Sequence, residues 1–399
     1  MDEIEVLVCD DSALMRNLIS RIVDGTEGMK VCGTAMNGKF ALQKIDTLKP
    51  DLILLDIEMP EMNGVQFLEE RKNRGIKIPV VILSSIATEG ASVTMKCLEL
   101  GASDFITKPS GSTSSSISSV GSFIIEKAAS YGGRFARLHG KKIPSAEHYM
   151  QQAKLKEIEA QAVKDGIIEK PKASPAKIEH TFAPTLFSTA TKKKEPEVIT
   201  PLREGGPIEV VVLGISTGGP NALREVFRNL DPKFPKPILV VQHMPAGFTK
   251  EFAASLDKIC PLYVKEAEDG DPIHPGQIYI APGNYHIVIE KSTLCNVIRL
   301  SSADLRNGHR PSADWLFESC AKIYKNRALG VIMTGMGRDG AAQLAEMRKQ
   351  GAWTLGQDEE SSIVYGMPRV AWELGAVQKQ VPLEKMAEEM NNLVREHCK

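Results

Sequence analysis

The feature that most constrains the fold of this 399-residue chain is an alternation of short, β-branched apolar runs with amphipathic helical segments, which occurs twice. It runs first from Met1 to about Pro109 and then from about Pro207 to Lys399. Such βαβ alternation predicts parallel strands with helices on both faces of each sheet. We therefore expect two doubly wound α/β domains, with a five-stranded parallel sheet in residues 1–109 and a larger mixed or parallel sheet in residues 207–399.

Residues 110–206, between the two patterns, have a different composition. GSTSSSISS is rich in serine, and both PKASPAKIEH and TKKKEPEVITP are rich in proline and lysine. Segments of this kind bury little apolar surface, so we predict a flexible linker. Within it, AEHYMQQAKLKEIEAQAVK combines helix-forming residues with opposite charges at helical spacing, so the linker can be helical in part, with that helix exposed to solvent.

Charge and cysteine content limit the classes of protein to which the chain can belong. Its 49 basic and 50 acidic residues give a net charge of -1, which does not favour binding to nucleic acid or an anionic membrane. The acidic start MDEIEVLVCDDS is unlike a secretory signal, and no apolar run approaches the ~20 residues needed to cross a bilayer. The seven cysteines have no CxxC spacing and are expected to be reduced thiols. We expect a cytoplasmic protein that does not insert into a membrane.

Polar or charged side chains follow the predicted carboxyl ends of four strands in the first domain. They are Asp10 and Asp11 after strand one, Asp56 after strand three, Ser84 and Ser85 after strand four, and Lys108 after strand five. Ligands of open α/β sheets bind beyond these ends. Three carboxylates about 5 Å apart would repel one another, and a hard cation such as Mg²⁺ relieves that repulsion. Each acidic residue alone could instead cap the following helix.

Taken together and in this order, these residues resemble the flavodoxin-like receiver domain of two-component response regulators over residues 1–109. LLDIEMPEMNG matches the phosphorylation segment of that family. The resemblance implies that Asp56 is the phosphoacceptor, that a chemotaxis histidine kinase is the phosphodonor, and that Mg²⁺ is required. The residues that it assigns to Mg²⁺, with Asp10 acting through water and Glu58 through its backbone carbonyl, are Asp10, Asp11, Asp56 and Glu58.

The same resemblance assigns three further residues of the first domain. Lys108 and Ser84 would contact the phosphoryl oxygens, and Phe105 occupies the position of the switch aromatic residue. On pattern alone, Phe105 is equally expected in the core.

In the second domain, VVVLGISTGGP places Ser216 in a Gly-x-Ser-x-Gly frame directly after a strand. Gly214 and Gly218 permit the sharp turn that exposes a nucleophilic serine. A glycine-rich turn before a helix equally suits phosphate binding. A nucleotide-binding loop would need a lysine after its glycines, and this sequence has Gly219-Pro220-Asn221 instead.

Two other predicted strands of this domain end near a histidine and an aspartate. PILVVQHM leads to His243, and GVIMTGMGRDG leads to Asp339. With Ser216 they could form a nucleophile, a general base and a carboxylate that orients the base. The chain order Ser, His, Asp differs from the Ser, Asp, His order of the α/β-hydrolase superfamily, so we exclude that superfamily.

Four other histidines follow Ser216 and compete for the role of base. His274 lies in a loop before a strand and is expected to be structural, and His397 lies in the terminal helix and is expected to be exposed. His286 and His309 lie in polar loops near strand ends, so both remain alternatives to His243.

The motifs GISTGGP, VVQHMP, YIAPG, HRPSAD and MTGMGRDGA, in this order, resemble the catalytic domain of chemotaxis protein-glutamate methylesterases. The resemblance implies a serine hydrolase that cleaves glutamyl methyl esters and deamidates glutamines on methyl-accepting chemoreceptors, without a cofactor for the ester chemistry. It assigns Ser216, His243 and Asp339 to the triad, and backbone donors for the oxyanion to Thr217 and Met336. The linker is longer than this family leads us to expect, but a longer tether adds little entropic cost to docking.

A different class of function is also open: a response regulator whose second domain binds a partner or nucleic acid and performs no chemistry. The chain has no basic recognition helix, which counts against nucleic acid. For the enzyme, a receptor helix is a large substrate that needs an open cleft. We therefore expect the unphosphorylated receiver to cover part of the active edge, and phosphorylation of Asp56 to relieve that cover.

Overall fold

The computed structural model describes residues 2–85, 88–108, 114–164 and 196–398. In the first domain, the strands are β1 Ile4–Cys9, β2 Met29–Ala35, β3 Leu52–Asp56, β4 Val80–Ser84 and β5 Asp104–Thr107. The helices between them are α1 Ala13–Asp24, α2 Gly38–Leu48, α3 Gly64–Asn73 and α4 Thr88–Glu99. The sheet has the order β2-β1-β3-β4-β5, and every pairing in it is parallel.

Central strands of this sheet are buried on both faces, which explains why their sequences are apolar without alternation. Every residue of LILLD in β3 and of VVILS in β4 is buried. Leu7 and Ile53 face α2, α3 and α4, whereas Val6 and Leu54 face α1 on the other side. The predicted five-stranded, doubly wound sheet is confirmed.

Residues 114–138 and 146–164, which we predicted as part of a flexible linker, are helical. They form α5 Ser114–Lys127, a π-helix Ala128–Gly132, α6 Gly133–Leu138 and α7 Ala146–Lys164. Val120, Ile124 and Ala128 lie four residues apart and pack against the first sheet, so the segment does contribute to a core. The composition did not indicate this packing, because the segment is rich in serine, alanine and glycine. Of the rest of the predicted linker, residues 110–113 and 165–195 lie outside the described residues.

The predicted helix over AEHYMQQAKLKEIEAQAVK is present as α7, and its first turns are tied to the first domain. Tyr149 is buried and its hydroxyl donates to the carbonyl of Gly28 at 3.4 Å. Just before α7, Lys141 lies 2.8 Å from Asp51 and 3.0 Å from Glu5. The helical segment therefore belongs structurally to the first domain.

The second domain has a larger sheet and a separate hairpin. Its strands are β6 Val210–Ile215, β7 Ile238–Gln242, β8 Tyr263–Glu266, β9 Gln277–Ile280, β10 His286–Lys291, β11 Asn296–Ser301, β12 Ala328–Ile332, β13 Trp353–Gln357 and β14 Lys379–Val381. Seven of the described strands form one sheet in the order β14-β13-β12-β6-β7-β9-β8 with parallel pairings. β10 and β11 pair only with each other among these strands, as an antiparallel hairpin. Of the mixed and parallel alternatives, the main sheet is therefore parallel.

Helices cover both faces of this sheet, as expected for a doubly wound fold. They are α8 Gly219–Arg228, α9 Phe248–Asp257, α10 Ala313–Ile323, α11 Ala341–Gln350, α12 Met367–Glu373 and α13 Leu383–Glu396. Val211 and Leu213 face α8, α9 and α13, whereas Val210 and Val212 face α10, α11 and α12. Among the described helices of the whole chain, none is long and apolar enough to span a bilayer.

Residues just before the predicted start of the second domain also pack on it. Leu202 N–H donates to the carbonyl of Lys349 at 2.8 Å, and the indole N–H of Trp353 donates to Gly206 at 3.1 Å. The second domain therefore includes at least residues 197–206 as well as the predicted range from 207.

The two domains are in contact through β5, α4 and α5 of the first and α8 and α9 of the second. The rings of Phe105 and Phe248 are stacked with centroids 4.7 Å apart. Asn221 at the start of α8 donates to the carbonyl of Ala102 at 3.0 Å, and Arg224 lies 3.4 Å from Glu99. This contact positions the first domain beside the carboxyl ends of the second sheet.

Candidate active site

Three adjacent strands of the second sheet converge on one group of polar side chains. β12, β6 and β7 are neighbours, and Ser216 and His243 directly follow β6 and β7. Asp339 lies seven residues beyond β12, at the end of a loop that leads into α11. Parallel strands direct these ends to one edge, where ligands of such sheets bind.

The turn that carries Ser216 is tightly packed. Ser216 N–H donates to the carbonyl of Thr334 at 2.9 Å, and a side chain on Gly335 would begin 2.8 Å from Ser216 Cβ. Gly218 is the left-handed residue of the turn, with φ of 88°. The amide of Gln242 donates to the carbonyls of both Ser216 and His243 at 3.1 Å, a connection between the two strand ends that sequence reasoning missed.

Ser216, His243 and Asp339 form one hydrogen-bonded chain. Ser216 Oγ lies 3.1 Å from His243 Nδ1, and His243 Nε2 lies 2.8 Å from Asp339 Oδ2. An ionised Asp339 accepts a hydrogen bond from Nε2–H, which leaves Nδ1 free to accept the serine proton. The ring is thus turned opposite to the chymotrypsin arrangement, in which Nε2 faces the serine.

Asp339 is held by more partners than the sequence indicated. It is 1% exposed and accepts hydrogen bonds from Ser312 Oγ at 2.6 Å, Ala313 N–H at 2.6 Å and Asn307 Nδ2 at 2.8 Å. Burial alone would raise the pKa of this carboxyl, but the hydrogen bonds from His243, Ser312 and Asn307 outweigh it and hold the pKa well below its ordinary value. Asn307 and Ser312 lie in the NGHRPSAD stretch, so that motif supplies support for the carboxylate.

The predicted acidic residues of the first domain also come together. Carboxylate oxygens of Asp10, Asp11 and Asp56 lie within 4.8 Å of one another. Lys108 Nζ lies 2.7 Å from Asp56 Oδ2 and 2.9 Å from Asp10 Oδ2. Burial raises the pKa of Asp56 although Lys108 lowers it. Three oxygen donors with this charge fit a hard divalent cation such as Mg²⁺.

The other predicted residues of the first domain surround this cluster. Ser84 Oγ is hydrogen-bonded to Thr94 Oγ1 at 2.6 Å and donates to the carbonyl of Ser85 at 3.1 Å, so it is engaged with α4 and its preceding loop. Glu58 follows β3 by two residues and its side chain is exposed. Phe105 is buried and also stacks on the second domain, so its position agrees with both a core role and a switch role.

Comparison with known proteins bears on both domains. Residues 6–115 match the family model of the response regulator receiver domain, and residues 211–390 match that of the CheB methylesterase. A protein-glutamate methylesterase/protein-glutamine glutaminase of Treponema denticola is 52% identical over 397 residues, which are 99% of this chain and 100% of that protein. The chain belongs to the protein-glutamate methylesterase/protein-glutamine glutaminase family.

Two other members are similar. The Treponema pallidum protein of the same name is 49% identical over 406 residues, and the matched region covers 98% of this chain and 97% of that protein. The crystal structure of the Thermotoga maritima CheB methylesterase catalytic domain is 41% identical, covers 47% of this chain and 99% of that domain, and has a TM-score of 0.46.

The competing histidines of this methylesterase-family chain occupy distinct places. His286 is buried, with its ring between Ser312 N–H and the carbonyl of Asp304, both at 3.1 Å. His274 N–H donates to the hydroxyl of Tyr279 at 3.1 Å, and His397 stacks on Trp353 at 4.0 Å. His243 is the histidine that the structure places in hydrogen-bonding distance of Ser216.

His309 lies directly against His243, and the two imidazole rings are stacked. Their centroids are 3.8 Å apart and their planes differ by 14°. Burial lowers the pKa of His309 to about 4, with a further contribution from His243, so the ring is neutral at pH 7. A neutral ring against one face of His243 restricts its rotation without repelling the imidazolium that forms during catalysis.

We expect His309→Ala to lower kcat by between about 10- and 100-fold, the size of effect that follows when a catalytic group is misplaced by about 1 Å. His309→Phe retains a flat ring and should restore kcat to near the wild-type value, with KM little changed in both variants. Steady-state methanol release measures these effects. Equal loss in His309→Phe and His309→Ala would instead indicate that a ring nitrogen of His309 takes part in proton transfer.

The two residues predicted to supply oxyanion donors lie at this edge. Thr217 follows Ser216, and its carbonyl accepts from Thr334 Oγ1 at 2.9 Å. Met336 is half-buried in the loop after β12 and packs against the core of the first domain. Their backbone N–H groups remain the predicted donors.

A cavity of about 280 Å³ lies between the two domains at this edge. Its lining includes Ser216, Thr217 and His243 of the second domain and Glu126 and Lys127 from α5 of the first. Side chains of the first domain therefore lie at the cavity that the predicted nucleophile and base line.

Proposed function

We propose that this chain hydrolyses glutamyl methyl esters and deamidates specific glutamines on methyl-accepting chemoreceptors, in the cytoplasm, under control of its receiver domain. The proposal rests mainly on the two hydrogen bonds that join Ser216, His243 and Asp339. Ser216 and His243 line a cavity that residues of the receiver also line. Full-length relatives that carry both activities in their names support it. A non-enzymatic output domain would have no use for a buried carboxylate held on a histidine beside a serine.

The geometry suggests the following reaction. Ser216 Oγ attacks the side-chain carbonyl carbon while His243 Nδ1 takes its proton, and Asp339 stabilises the imidazolium through Nε2–H. Backbone N–H groups of Thr217 and Met336 would stabilise the oxyanion, and one such donor typically contributes about 3 kcal/mol. His243 then protonates the departing methoxide, and water hydrolyses the acyl-enzyme by the same route. Deamidation differs only in that ammonia leaves.

Incubation with chemoreceptor membranes that carry radiolabelled methyl esters tests this proposal. Released methanol, together with conversion of receptor glutamine to glutamate by mass spectrometry, would establish both activities. If the chain released no methanol but bound receptors, the non-enzymatic alternative would replace the proposal.

For the receiver, we propose that Asp56 accepts a phosphoryl group from a chemotaxis histidine kinase. Asp11, Asp56 and the backbone carbonyl of Glu58 would hold Mg²⁺, with Asp10 acting through water. The cation would neutralise charge on the phosphoryl oxygens. Lys108, already 2.7 Å from Asp56, would contact one of these oxygens, and Ser84 would turn from Thr94 toward another.

Phosphorylation would then reach the second domain through Phe105, because its ring lies between the receiver core and Phe248. A closed form favoured by about 100:1 leaves about 1% of molecules open, and complete inversion of that ratio would require about 5.5 kcal/mol. We therefore expect partial activation by phosphorylation.

A fragment of residues 196–399 should be more active than the unphosphorylated full chain and indifferent to acetyl phosphate. The fragment begins at residue 196 because Leu202 and Gly206 pack on the second domain, so a start at Pro207 would remove native contacts. Methanol release from both proteins, with and without acetyl phosphate, measures the effect, whose ceiling is about 100-fold for a 100:1 closed form. Equal activity of the two proteins would exclude occlusion by the receiver.

A further inference from the structure

The receiver contributes a glutamate side chain to the wall of the catalytic cavity. Thr217, the residue after the nucleophile, donates its hydroxyl hydrogen bond to Glu126 Oε1. Lys127 Nζ lies 3.2 Å from Glu126 Oε1 and 3.2 Å from Thr217 Oγ1. Lys127 is held in turn by Asp104 at 3.0 Å, so the position of Glu126 is fixed from the receiver side.

This glutamate is ionised although it is largely removed from water. Its side chain is 14% exposed. Burial opposes ionisation, but the charge of Lys127 and the hydrogen bond from Thr217 outweigh it and lower the pKa of Glu126 below its ordinary value. An anionic carboxylate therefore forms part of the wall of the cavity that Ser216 and His243 also line.

The chemical identity of this group is informative. Both proposed reactions act on a side chain that ends in a glutamyl carbonyl, and both produce a glutamate carboxylate. Glu126 is the same side chain and carries the same anion, and it reaches the residue next to the nucleophile. Its partner is Thr217, a residue that is 3% exposed in this closed arrangement and whose hydroxyl has no role in the triad itself.

We propose that the Thr217 hydroxyl is a binding group for the glutamyl side chain of the receptor, and that Glu126 occupies its place as a tethered analogue of the product. This inference rests on the proposed function. Because groups joined by a tether have effective concentrations in the millimolar range, a product analogue of only millimolar affinity is sufficient to compete with substrate. The receiver thus inhibits by chemical likeness to the product in addition to covering the cavity.

The test uses the full chain, a receptor peptide with a glutamyl methyl ester as substrate, and the demethylated peptide as inhibitor. In the unphosphorylated chain, Glu126→Ala should raise activity and lower the inhibition constant of the product peptide, each by about tenfold, the lower end of what a hydrogen bond to a charged group contributes. Glu99→Ala is the matched control, because it removes a receiver glutamate that contacts Arg224 across the same interface but outside the cavity. Glu99→Ala should change the activity and the inhibition constant of the product peptide each by less than twofold.

A second variant tests the hydroxyl. In the phosphorylated chain, Thr217→Val should raise the product inhibition constant about tenfold, and Thr217→Ser, which keeps the hydroxyl, should restore it. Similar effects of Glu126→Ala and Glu99→Ala would mean that docking alone inhibits, and an unchanged inhibition constant in Thr217→Val would mean that the hydroxyl does not bind the side chain. Either result overturns this inference while the wild-type chain still releases methanol. A wild-type chain that releases none overturns the proposed function itself.

Discussion

Replacement of Ser216 by alanine is expected to lower methanol release by about 10⁴-fold or more, because the variant has no nucleophile and retains only binding and oxyanion stabilisation. The side chain loses one oxygen in a turn whose backbone is fixed by Thr334, so the fold should be preserved. Circular dichroism and the melting temperature would verify that the fold is intact, and initial rates on methylated receptor membranes would give the loss.

His243→Ala and Asp339→Ala should cause losses of similar order, and the triple variant should be little worse than Ser216→Ala, because residues that act as one unit are non-additive. Asp339 accepts five hydrogen bonds, so Asp339→Asn is a better matched change than alanine for preserving the loop around Ser312. Losses that simply multiply would show that the three residues do not act together. Full activity of His243→Ala would transfer the role of base to His309 or His286.

Asp56→Asn is expected to abolish labelling of the receiver by acetyl phosphate and Mg²⁺, since an amide cannot replace the carboxylate that attacks phosphorus. Radiolabel incorporation measures the loss, and activation of methanol release by acetyl phosphate should disappear with it. Asp46→Asn, a change at an exposed position on α2, is the matched control and should label normally. Persistent label in Asp56→Asn would place the acceptor elsewhere.

Asp11→Ala should impair labelling as well, because it removes one of the three carboxylates that fit Mg²⁺. Raising the Mg²⁺ concentration should recover part of the label in Asp11→Ala but none in Asp56→Asn. That difference separates a metal ligand from the phosphoacceptor.

Sequence patterns predicted both sheets because their buried strands are unbroken apolar runs, as in LILLD and VVVLGI. They also predicted which strand ends meet, since parallel strands direct their carboxyl ends to one edge. This is why Ser216, His243 and Asp339 could be grouped although 27 and 96 positions separate successive members.

Other features could not be read from the sequence. The segment from Val120 to Tyr149 packs through four alanines and five larger apolar residues, which in the sequence are dispersed among serines, glycines and charged residues that are also typical of linkers. The hydrogen bond between Glu126 and Thr217 joins residues 91 positions apart in different domains and leaves no local pattern. The orientation of the His243 ring depends on where Asp339 is held by Ser312 and Asn307, which only the folded loop determines.

The docking of the receiver through Phe105 and Phe248 has a consequence for which molecules become phosphorylated. If phosphorylation favours undocking by some factor, linkage requires that undocking favour the phosphorylated receiver by the same factor, so a ligand that favours undocking also favours phosphorylation, by at most that factor. Under the proposed function, a receptor helix that enters the cavity would displace α5 and so act as such a ligand. Substrate would therefore promote phosphorylation of its own enzyme, and molecules engaged with receptors would be enriched in the phosphorylated form over those that are free.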